Sequence, residues 1–485
     1  MNKACTGGSA AVPCEGATSS AVCPPLPEAH EAPPQPREAT QIPSGRLLAR
    51  TLDLAWPAIV EQLLNMTVGL VNTYLVGHLG ATALAAVGLG DQVVTLFSIL
   101  FSSVAVGATA VVARHVGAEE RHVADVVGSQ SILLAVGMGA VSALAAGLLA
   151  GPLLRLLGAA PDVVAAGAVY LRIIAGTMLL MSVMFVGNAV LRGAGDTRTP
   201  MLVMLGVNGV NIVVAYALVN GVGGLPRLGV AGSAIGAATA RGLGGVAVVA
   251  ILLRRRAAVR LVPRYVARPV AHHLRRILAV GLPAGAEQLS LRIALLIFAS
   301  LVTRLGTVAY AGHQVALMLM SLSYMPGWGF SVASTTLVGQ ALGAGRPDEA
   351  ERSALLSTMM NVLVMAAIGF LLFLGARPAA AIFTNEPAII QQAVLALRTF
   401  AFAQPFLGIG FVLAGALRGA GDTRSVLFLT SVPLWLVRLP LAYLLGMAMG
   451  LGLVGIWAAA DADWLLRSGL LWWRFRRGRW KTLAV

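Results

Sequence analysis

Long apolar stretches separated by short polar segments occupy most of the chain after residue 45. Each holds about 20 residues, enough to cross roughly 30 Å of hydrocarbon. The stretches are helical in period and far longer than the short alternating strands of a membrane barrel. The pattern therefore predicts an all-α polytopic membrane protein with twelve transmembrane helices. The predicted spans are 54–76, 83–108, 126–149, 163–191, 200–222, 229–253, 278–302, 309–335, 353–375, 389–417, 425–448 and 453–473.

The chain also repeats itself at a fixed offset of 226 residues. The sequence RGAGDTR runs from Arg192 to Arg198 and again from Arg418 to Arg424. Repetition in a hydrophobic chain indicates a duplicated membrane bundle with the substrate path between the copies. Six spans in each copy return the chain to its starting side, so the repeats are predicted to be parallel. Other pairs at this offset are Pro57 and Pro283, Glu61-Gln62 and Glu287-Gln288, Leu79-Gly80 and Leu305-Gly306, and Gly117-Ala118 and Gly343-Ala344.

The repeated RGAGDTR itself is predicted to be a turn between two helices rather than a substrate site. Its glycines permit a tight turn. Asp196 and Asp422 can each cap the following helix or pair with a nearby arginine.

Composition supports a membrane protein, with 58% hydrophobic and 11% charged residues. The net charge of +15 would suggest a nucleic-acid partner in a soluble protein. The placement of the charges along the chain distinguishes this interpretation from a role in membrane orientation. With both termini inside, 23 of the 35 Lys and Arg lie at cytoplasmic ends and four in outer loops. This bias follows the positive-inside rule, so no nucleic-acid partner is expected. Anionic inner-leaflet lipid is the expected partner of the basic 254–276 segment.

Five segments are expected along the chain. Residues 1–45 contain eight prolines and no apolar run, which indicates a disordered cytoplasmic tail and not a signal peptide. Its cysteines, Cys5, Cys14 and Cys23, have no histidine cluster nearby, so neither a metal site nor another cofactor is predicted. The remaining segments are a six-helix lobe at 46–253, a basic linker at 254–276, a second six-helix lobe at 277–474 and a basic C-terminal tail at 475–485.

The motifs, in their order, resemble the multidrug and toxic compound extrusion (MATE) transporters over residues 46–480. The resemblance rests on Leu-Ala-Trp-Pro at 54–57, Val-Gly-His-Leu-Gly at 76–80, Gly-Leu-Pro at 281–283, Ala-Gly-His-Gln at 311–314 and both RGAGDTR turns. It implies a V-shaped, two-lobed antiporter that exports hydrophobic, often cationic compounds in exchange for H+ or Na+. A monomer without enzymatic activity is expected.

Candidate ion-coupling residues are acids and amides within the spans, because charge inside a bilayer is costly and marks functional sites. Glu61, Asn65 and Asn72 lie along one stripe of the first span, and Asn208 and Asn211 lie one turn apart in the fifth. The equivalent stripe after Glu287 is apolar, so coupling is expected in the N-terminal lobe.

The chain departs from the family at Asn72. Many MATE proteins have an aspartate there, in a Val-Asp-Thr setting, and an acid often found after the fifth-span asparagine is replaced by Ala215. Asp91 and Glu61 are then the groups able to titrate in this lobe. Glu61 and Glu287 could alternatively only hydrogen-bond neighbouring backbone, whereas Asp91 has no acidic counterpart.

Candidate substrate-cleft residues are polar and aromatic groups that could line an adaptable pocket for a hydrophobic cation. At helical spacing such residues are more often simply core. The alternative function is a flippase for a lipid-linked or polysaccharide precursor, for which intramembrane arginines would bind an anionic headgroup. An intramembrane enzyme is disfavoured because no catalytic cluster occurs in the spans. The cleft candidates are His313, Gln314, Tyr324, Met325, Trp328, Phe97 and Phe101.

Overall fold

The computed structural model describes residues 43–254 and 259–483. Within these ranges every regular element is helical and no strand occurs. The prediction of an all-α fold is confirmed. Most of the predicted tail 1–45, with Cys5, Cys14 and Cys23, and residues 255–258 of the predicted linker lie outside the described residues.

Six helical spans, named α1 to α6, form the N-terminal half. A short helix, Ala150–Leu156, connects α3 to α4. The fourth span consists of two helices, α4a and α4b. The bounds are α1 Ser44–Gly77, α2 Ala81–Gly117, α3 Arg121–Leu148, α4a Pro161–Ala175, α4b Met178–Gly193, α5 Arg198–Asn220 and α6 Val230–Leu253.

Six further spans, α7 to α12, form the C-terminal half. Short helices at Pro263–Ala267 and Arg479–Thr482 precede and follow this half. The bounds are α7 Ala271–Thr303, α8 Thr307–Gly343, α9 Pro347–Ala381, α10a Pro387–Ala401, α10b Gln404–Gly419, α11 Thr423–Ala448 and α12 Gly452–Arg476.

The number of spans agrees with the sequence prediction once two features are recognised. In the described part of the chain, nine helices are long and apolar enough to cross a membrane, and the two bent pairs raise this to eleven. The twelfth predicted span is α12, which carries Asp461, Asp463 and Arg467 along its length. Its charged residues lower its hydropathy, although Asp463 and Arg467 are buried in the bundle.

The predicted spans 163–191 and 389–417 are each broken by a bend of 56°. In the second pair Pro405 lies at the start of α10b, where a proline lacks the N–H that a continuous helix would need. The predicted span 425–448 is irregular too, because its helix widens into π turns at Leu434–Arg438 and Leu444–Ala448. Hydropathy locates these segments but does not report their bends.

The two halves repeat individual hydrogen bonds as well as sequence. Thr109 Oγ1 of α2 donates to the carbonyl of Ala189 at 2.9 Å, and Thr335 Oγ1 of α8 donates to the carbonyl of Gly415 at 2.9 Å. The two donors, Thr109 and Thr335, are 226 residues apart, and so are the two acceptors, Ala189 and Gly415. The duplication is therefore conserved in the contacts between helices.

The backbones of the two halves come into direct contact where α2 and α8 cross, at the end of the bundle that carries the RGAGDTR turns. Gly117 lies against the backbone of Gln340, and its repeat partner Gly343 lies against the backbone of Arg114. A Cβ at either glycine would overlap the opposing carbonyl. Most side chains from Val104 to Ala113 are buried here. We call this region the glycine crossing.

Candidate functional site

A cavity of about 400 Å³ lies between the two halves, adjoining the glycine crossing. Both halves contribute to its wall, which mixes hydroxyl, amide and charged groups with apolar surface. The wall thus offers hydrogen bonds and hydrophobic contact to one occupant. Its polar and aromatic residues include Glu61, Gln62, Asn65, Ser98, Ser102, Phe185, Asn188, Arg192, Gln288, Arg292, Trp328, Ser331, Thr335 and Arg418.

Two repeat-related ion pairs lie at this cavity. Arg192 Nη1 of α4b donates to Glu61 Oε1 of α1 at 2.6 Å. Arg418 Nη2 of α10b donates to both carboxylate oxygens of Glu287 in α7 at 2.8 Å. All four side chains are largely buried. The sequence-predicted acids Glu61 and Glu287 are therefore held as counter-ions of arginines, not by backbone groups.

These arginines were missed as site residues by the sequence analysis. Each is the first residue of RGAGDTR and lies in the last turn of its helix, with its side chain bonded to a glutamate 131 residues earlier in the chain. The signal was available, because glutamate and arginine both recur at the same 226-residue offset. Repetition of an acid and a base together indicates a pair.

The rest of RGAGDTR behaves as the predicted turn. Gly195 and Gly421 have φ values of 93° and 85°, a left-handed conformation that favours glycine. Asp196 caps α5 by accepting from the N–H of Thr199 at 2.9 Å. Asp422 instead accepts from Arg474 Nε at 2.8 Å. Each copy therefore uses one of the two roles that the sequence left open.

The predicted asparagine stripe divides between two environments. Asn65 lines the cavity with Glu61. Asn72 is buried against α5, where Asn211 Nδ2 donates to Asn72 Oδ1 at 3.2 Å. Asn208 Nδ2 donates to the carbonyl of Leu64 at 2.8 Å. The structure thus brings α1 and α5 together through amides.

Several amide oxygens inside the N-terminal half have no hydrogen-bond partner among the described residues. They are Oδ1 of Asn188, Asn208 and Asn211. Buried acceptors normally find a partner, so these oxygens are free to bind a proton donor or a hard cation.

Asp91 is a residue of α2 that faces α4a, away from the cavity wall. Its Oδ1 accepts a hydrogen bond from the hydroxyl of the buried Tyr170 at 2.7 Å. Arg241 of α6 interacts electrostatically with the same tyrosine. The structure therefore keeps the two predicted N-terminal titrating groups, Asp91 and Glu61, in separate environments.

Of the seven predicted substrate-cleft residues, Trp328 lines the cavity in the described structure. Phe101 is buried in the core of the N-terminal half, with Phe97 packed against that core. The buried His313 packs against Trp457 of α12. The remaining three also belong to the C-terminal half: Tyr324 packs against Phe400 and Phe411, Gln314 Nε2 lies 3.3 Å from the hydroxyl of Tyr310, and Met325 is partly buried.

Within residues 43–254 and 259–483, no three His, Cys, Asp or Glu side chains are grouped so as to hold a metal ion. The cavity wall presents guanidinium, carboxylate, amide and hydroxyl groups. Duplicated helical halves with a polar cleft between them define the protein as a membrane transporter.

The chain belongs to the MatE family. The family model matches residues 57–217 and again residues 283–444, so the two matches begin 226 residues apart. The chain is 34% identical to the probable multidrug resistance protein NorM of Thermotoga maritima, over 90% of this chain and 93% of that protein. It is 30% identical to the multidrug resistance protein NorM of Burkholderia vietnamiensis, over 90% and 96%.

Solved structures agree with this assignment. A MOP superfamily transporter from Pyrococcus furiosus matches with a TM-score of 0.84 and 25% identity, over 92% of this chain and all of that one. A MATE family transporter in an outward-facing conformation matches with a TM-score of 0.82 and 25% identity, over 91% and 100%. The predicted family and two-repeat fold are confirmed.

Proposed function

We propose that this protein is a secondary active antiporter that exports hydrophobic or cationic drugs or metabolites in exchange for H+ or Na+. The observation that carries the proposal is the cavity between the halves, with a glutamate–arginine pair from each half beside it. Trp328, Phe185 and Met184 give the wall apolar surface suited to such cargo. The multidrug resistance proteins to which the chain is similar support this substrate class.

The coupling ion binds in the N-terminal half. Asp91 and Glu61 are the proton acceptors, and the unpartnered amide oxygens of Asn208 and Asn211, beside Asn72, are ligands for Na+. A proton on Glu61 would neutralise the partner of Arg192 and loosen α1 from α4b. Ion binding is thereby linked to the packing of helices at the cavity.

We place the protein in the bacterial inner membrane, and its similarity to bacterial NorM proteins supports this location. The distribution of Lys and Arg supports a cytoplasmic position for both termini. The glycine crossing then closes the cytoplasmic side, and the cavity opens outward. The predicted segments 1–45, 46–253, 254–276, 277–474 and 475–485 remain our domain assignment, with the linker on anionic lipid. The transporter acts as a monomer and has no nucleic-acid partner.

Efflux driven separately by a proton or a sodium gradient tests the function. Purified protein in liposomes should expel a cationic dye under one of the two gradients. Asp91→Asn should lower that rate at least about tenfold if it removes a required proton step. Asp53→Asn is the matched control, because Asp53 forms an exposed pair with Arg198. Absence of dye efflux under both gradients would contradict the proposal.

Arg292 favours a second candidate function, a flippase for a lipid-linked or polysaccharide precursor. It lines the cavity beside Arg192 and Arg418, whose charges are balanced by glutamates. A third guanidinium gives the cavity an excess of positive charge, which suits an anionic headgroup. Arg292→Gln separates the two functions: it should abolish transfer of an anionic lipid analogue if the protein is a flippase, and leave dye efflux intact if it is a drug antiporter.

A further inference from the structure

A second group of charged residues is buried in the C-terminal half, away from the cavity wall. Arg467 of α12 donates through Nε and Nη2 to the two oxygens of Asp463, at 2.7 and 2.6 Å. Arg438 of α11 approaches the same carboxylate, with Nη1 3.9 Å from Oδ2. Asp463 is fully buried and the two arginines nearly so. One carboxylate therefore faces two guanidinium groups, one of which already holds it at both oxygens.

Arg438 is incompletely satisfied by this arrangement. Its Nε has no hydrogen-bond partner among the described residues. Its guanidinium carbon lies 4.3 Å from the ring centre of Phe298, a cation–π contact. It also ends the π turn Leu434–Arg438, and such turns concentrate at functional sites. A buried guanidinium with an unpaired N–H is costly, and a second carboxylate close to it would lower that cost.

Asp461 supplies a second carboxylate near Arg438. It precedes Asp463 by two residues on α12, so the two side chains leave the helix in different directions. Asp461 is half-buried, and its Oδ1 is enclosed without a partner in the described structure. It interacts electrostatically with Arg438. The ion pair of Arg438 at 3.9 Å is with Asp463, so Asp461 has no direct ion pair with it in the described structure.

The surroundings of Asp461 hold few other ionisable groups. His313 and Tyr324 face the cluster from α8, and Arg438 faces it from α11. The rings that α7 and α10 contribute pack against tryptophans of α12: Phe298 and Phe400 against Trp457, and Phe411 against Trp464. In such an apolar setting a carboxylate without a full partner is costly, and binding a proton removes that cost.

The cluster has no equivalent in the N-terminal half. Helices α6 and α12 share a Leu-Gly-x-x-Gly start, at 228–232 and 451–455. Aligned on it, Asp461 and Asp463 correspond to Ala238 and Ala240 of α6. The duplication of the bundle therefore does not explain the carboxylates of α12.

We propose that Asp461 is a proton-binding residue, and that its charge state decides whether Arg438 is shared between Asp461 and Asp463 or held by Asp463 alone. This inference rests on the proposed antiport, to which it adds a proton site in the C-terminal half. With both aspartates ionised, the four charges balance. A proton taken from water by Asp461 leaves one net positive charge and draws Arg438 toward Asp463. Movement of Arg438 changes the π turn that it ends, which couples protonation to the shape of α11.

Infrared difference spectroscopy between acid and alkaline pH tests the proton site directly. Wild-type protein in lipid nanodiscs should show the C=O band of a protonated carboxylic acid at acid pH. Asp461→Asn should remove one component of this band. Asp461→Glu should shift this component without removing it. Asp91→Asn should leave the Asp461 component unchanged. Arg438→Gln should let the band persist to higher pH, because the cation that favours the ionised form is gone.

The proposal is overturned if the band is the same in wild type and Asp461→Asn. A variant that elutes as aggregate is replaced by Asp461→Ser, for which the same loss is expected. These spectra do not depend on transport. Failure of the wild type to expel dye would therefore contradict the proposed function and leave the proton site standing. An unchanged band in Asp461→Asn would contradict the proton site and leave the proposed function standing.

Discussion

Glu61 and Glu287 occupy equivalent positions but are held with different strength. Glu287 receives two hydrogen bonds from Arg418 and a third, at 3.0 Å, from Thr430 Oγ1. Glu61 receives a single bond from Arg192. The position equivalent to Thr430 is Met204, which has no hydroxyl. The N-terminal pair is therefore the easier one to open, which suits a group that takes up a proton.

Double-mutant cycles on the two pairs should measure this difference. Breaking a buried ion pair costs about 3–5 kcal/mol, and a hydrogen bond to a charged group contributes about 1.5–3 kcal/mol. Glu287→Gln should therefore lower the thermal unfolding temperature more than Glu61→Gln. Each change combined with Arg418→Gln or Arg192→Gln should cost less than the sum of its single changes. Equal coupling energies in the two cycles would contradict the proposed inequality.

The sequence identifies these glutamates but not their environment. A fixed offset shows that residues 61 and 287 are equivalent, and hydropathy shows that both lie in spans. Their arginines lie 131 residues away in the chain, so only the packing of α1 on α4b and α7 on α10b joins them. The cleft aromatics show a related limit of the sequence. Helical spacing does not distinguish Trp328, on the cavity wall, from Phe101, in the core.

Among the helices, α2 and α8 join the two halves by direct backbone contact at the RGAGDTR end of the bundle. Their glycines, Gly117 and Gly343, let the two backbones touch at the glycine crossing. Alanine has only one additional carbon, yet its Cβ would overlap a carbonyl that cannot rotate away. The cost falls on the closed arrangement and not on the helix, because alanine is a better helix former than glycine.

Gly117→Ala or Gly343→Ala should thus open this end of the bundle. The matched control is Gly137→Ala in α3, where a Cβ meets no atom within 4 Å. The probe is a cysteine replacing the fully buried Ala113, with Cys5, Cys14 and Cys23 changed to serine. A water-soluble maleimide should label it faster in both crossing variants and at the wild-type rate in the control. Labelling at the wild-type rate in the crossing variants would show that the crossing accommodates the added methyl group without opening, and would contradict the prediction.

At the scale of the whole molecule, the segment after α12 joins the two halves. The predicted basic tail at 475–485 includes Trp480, which is fully buried and stacked on Phe475 at 4.9 Å. The carbonyl of Leu483 accepts a hydrogen bond from Arg114 Nη2 of α2 at 2.8 Å. A residue of the N-terminal half is thereby bound to the end of the C-terminal half, next to the glycine crossing.

Lys481 fixes the same segment to α9. Its Nζ lies 2.6 Å from Glu351 and 3.5 Å from Asp348. The hydrogen bond to Glu351 raises the pKa of Lys481 above its usual value. A raised lysine pKa stabilises the folded state below the unfolded pKa, and this stabilisation is lost only as the pH rises through the folded pKa. The attachment to α9 is therefore fully present at neutral pH.

Trp480→Ala should release this connection and favour the open arrangement of the RGAGDTR end. Removing a buried aromatic side chain costs about 3–5 kcal/mol, part of which is the contact that holds Leu483 near Arg114. Trp472→Ala is the matched control, because Trp472 is partly exposed on α12. With the cysteine probe at position 113, maleimide labelling should accelerate in Trp480→Ala and not in Trp472→Ala. If Trp480→Ala lowers the unfolding temperature but leaves labelling unchanged, the segment stabilises the C-terminal half alone and does not hold the two halves together.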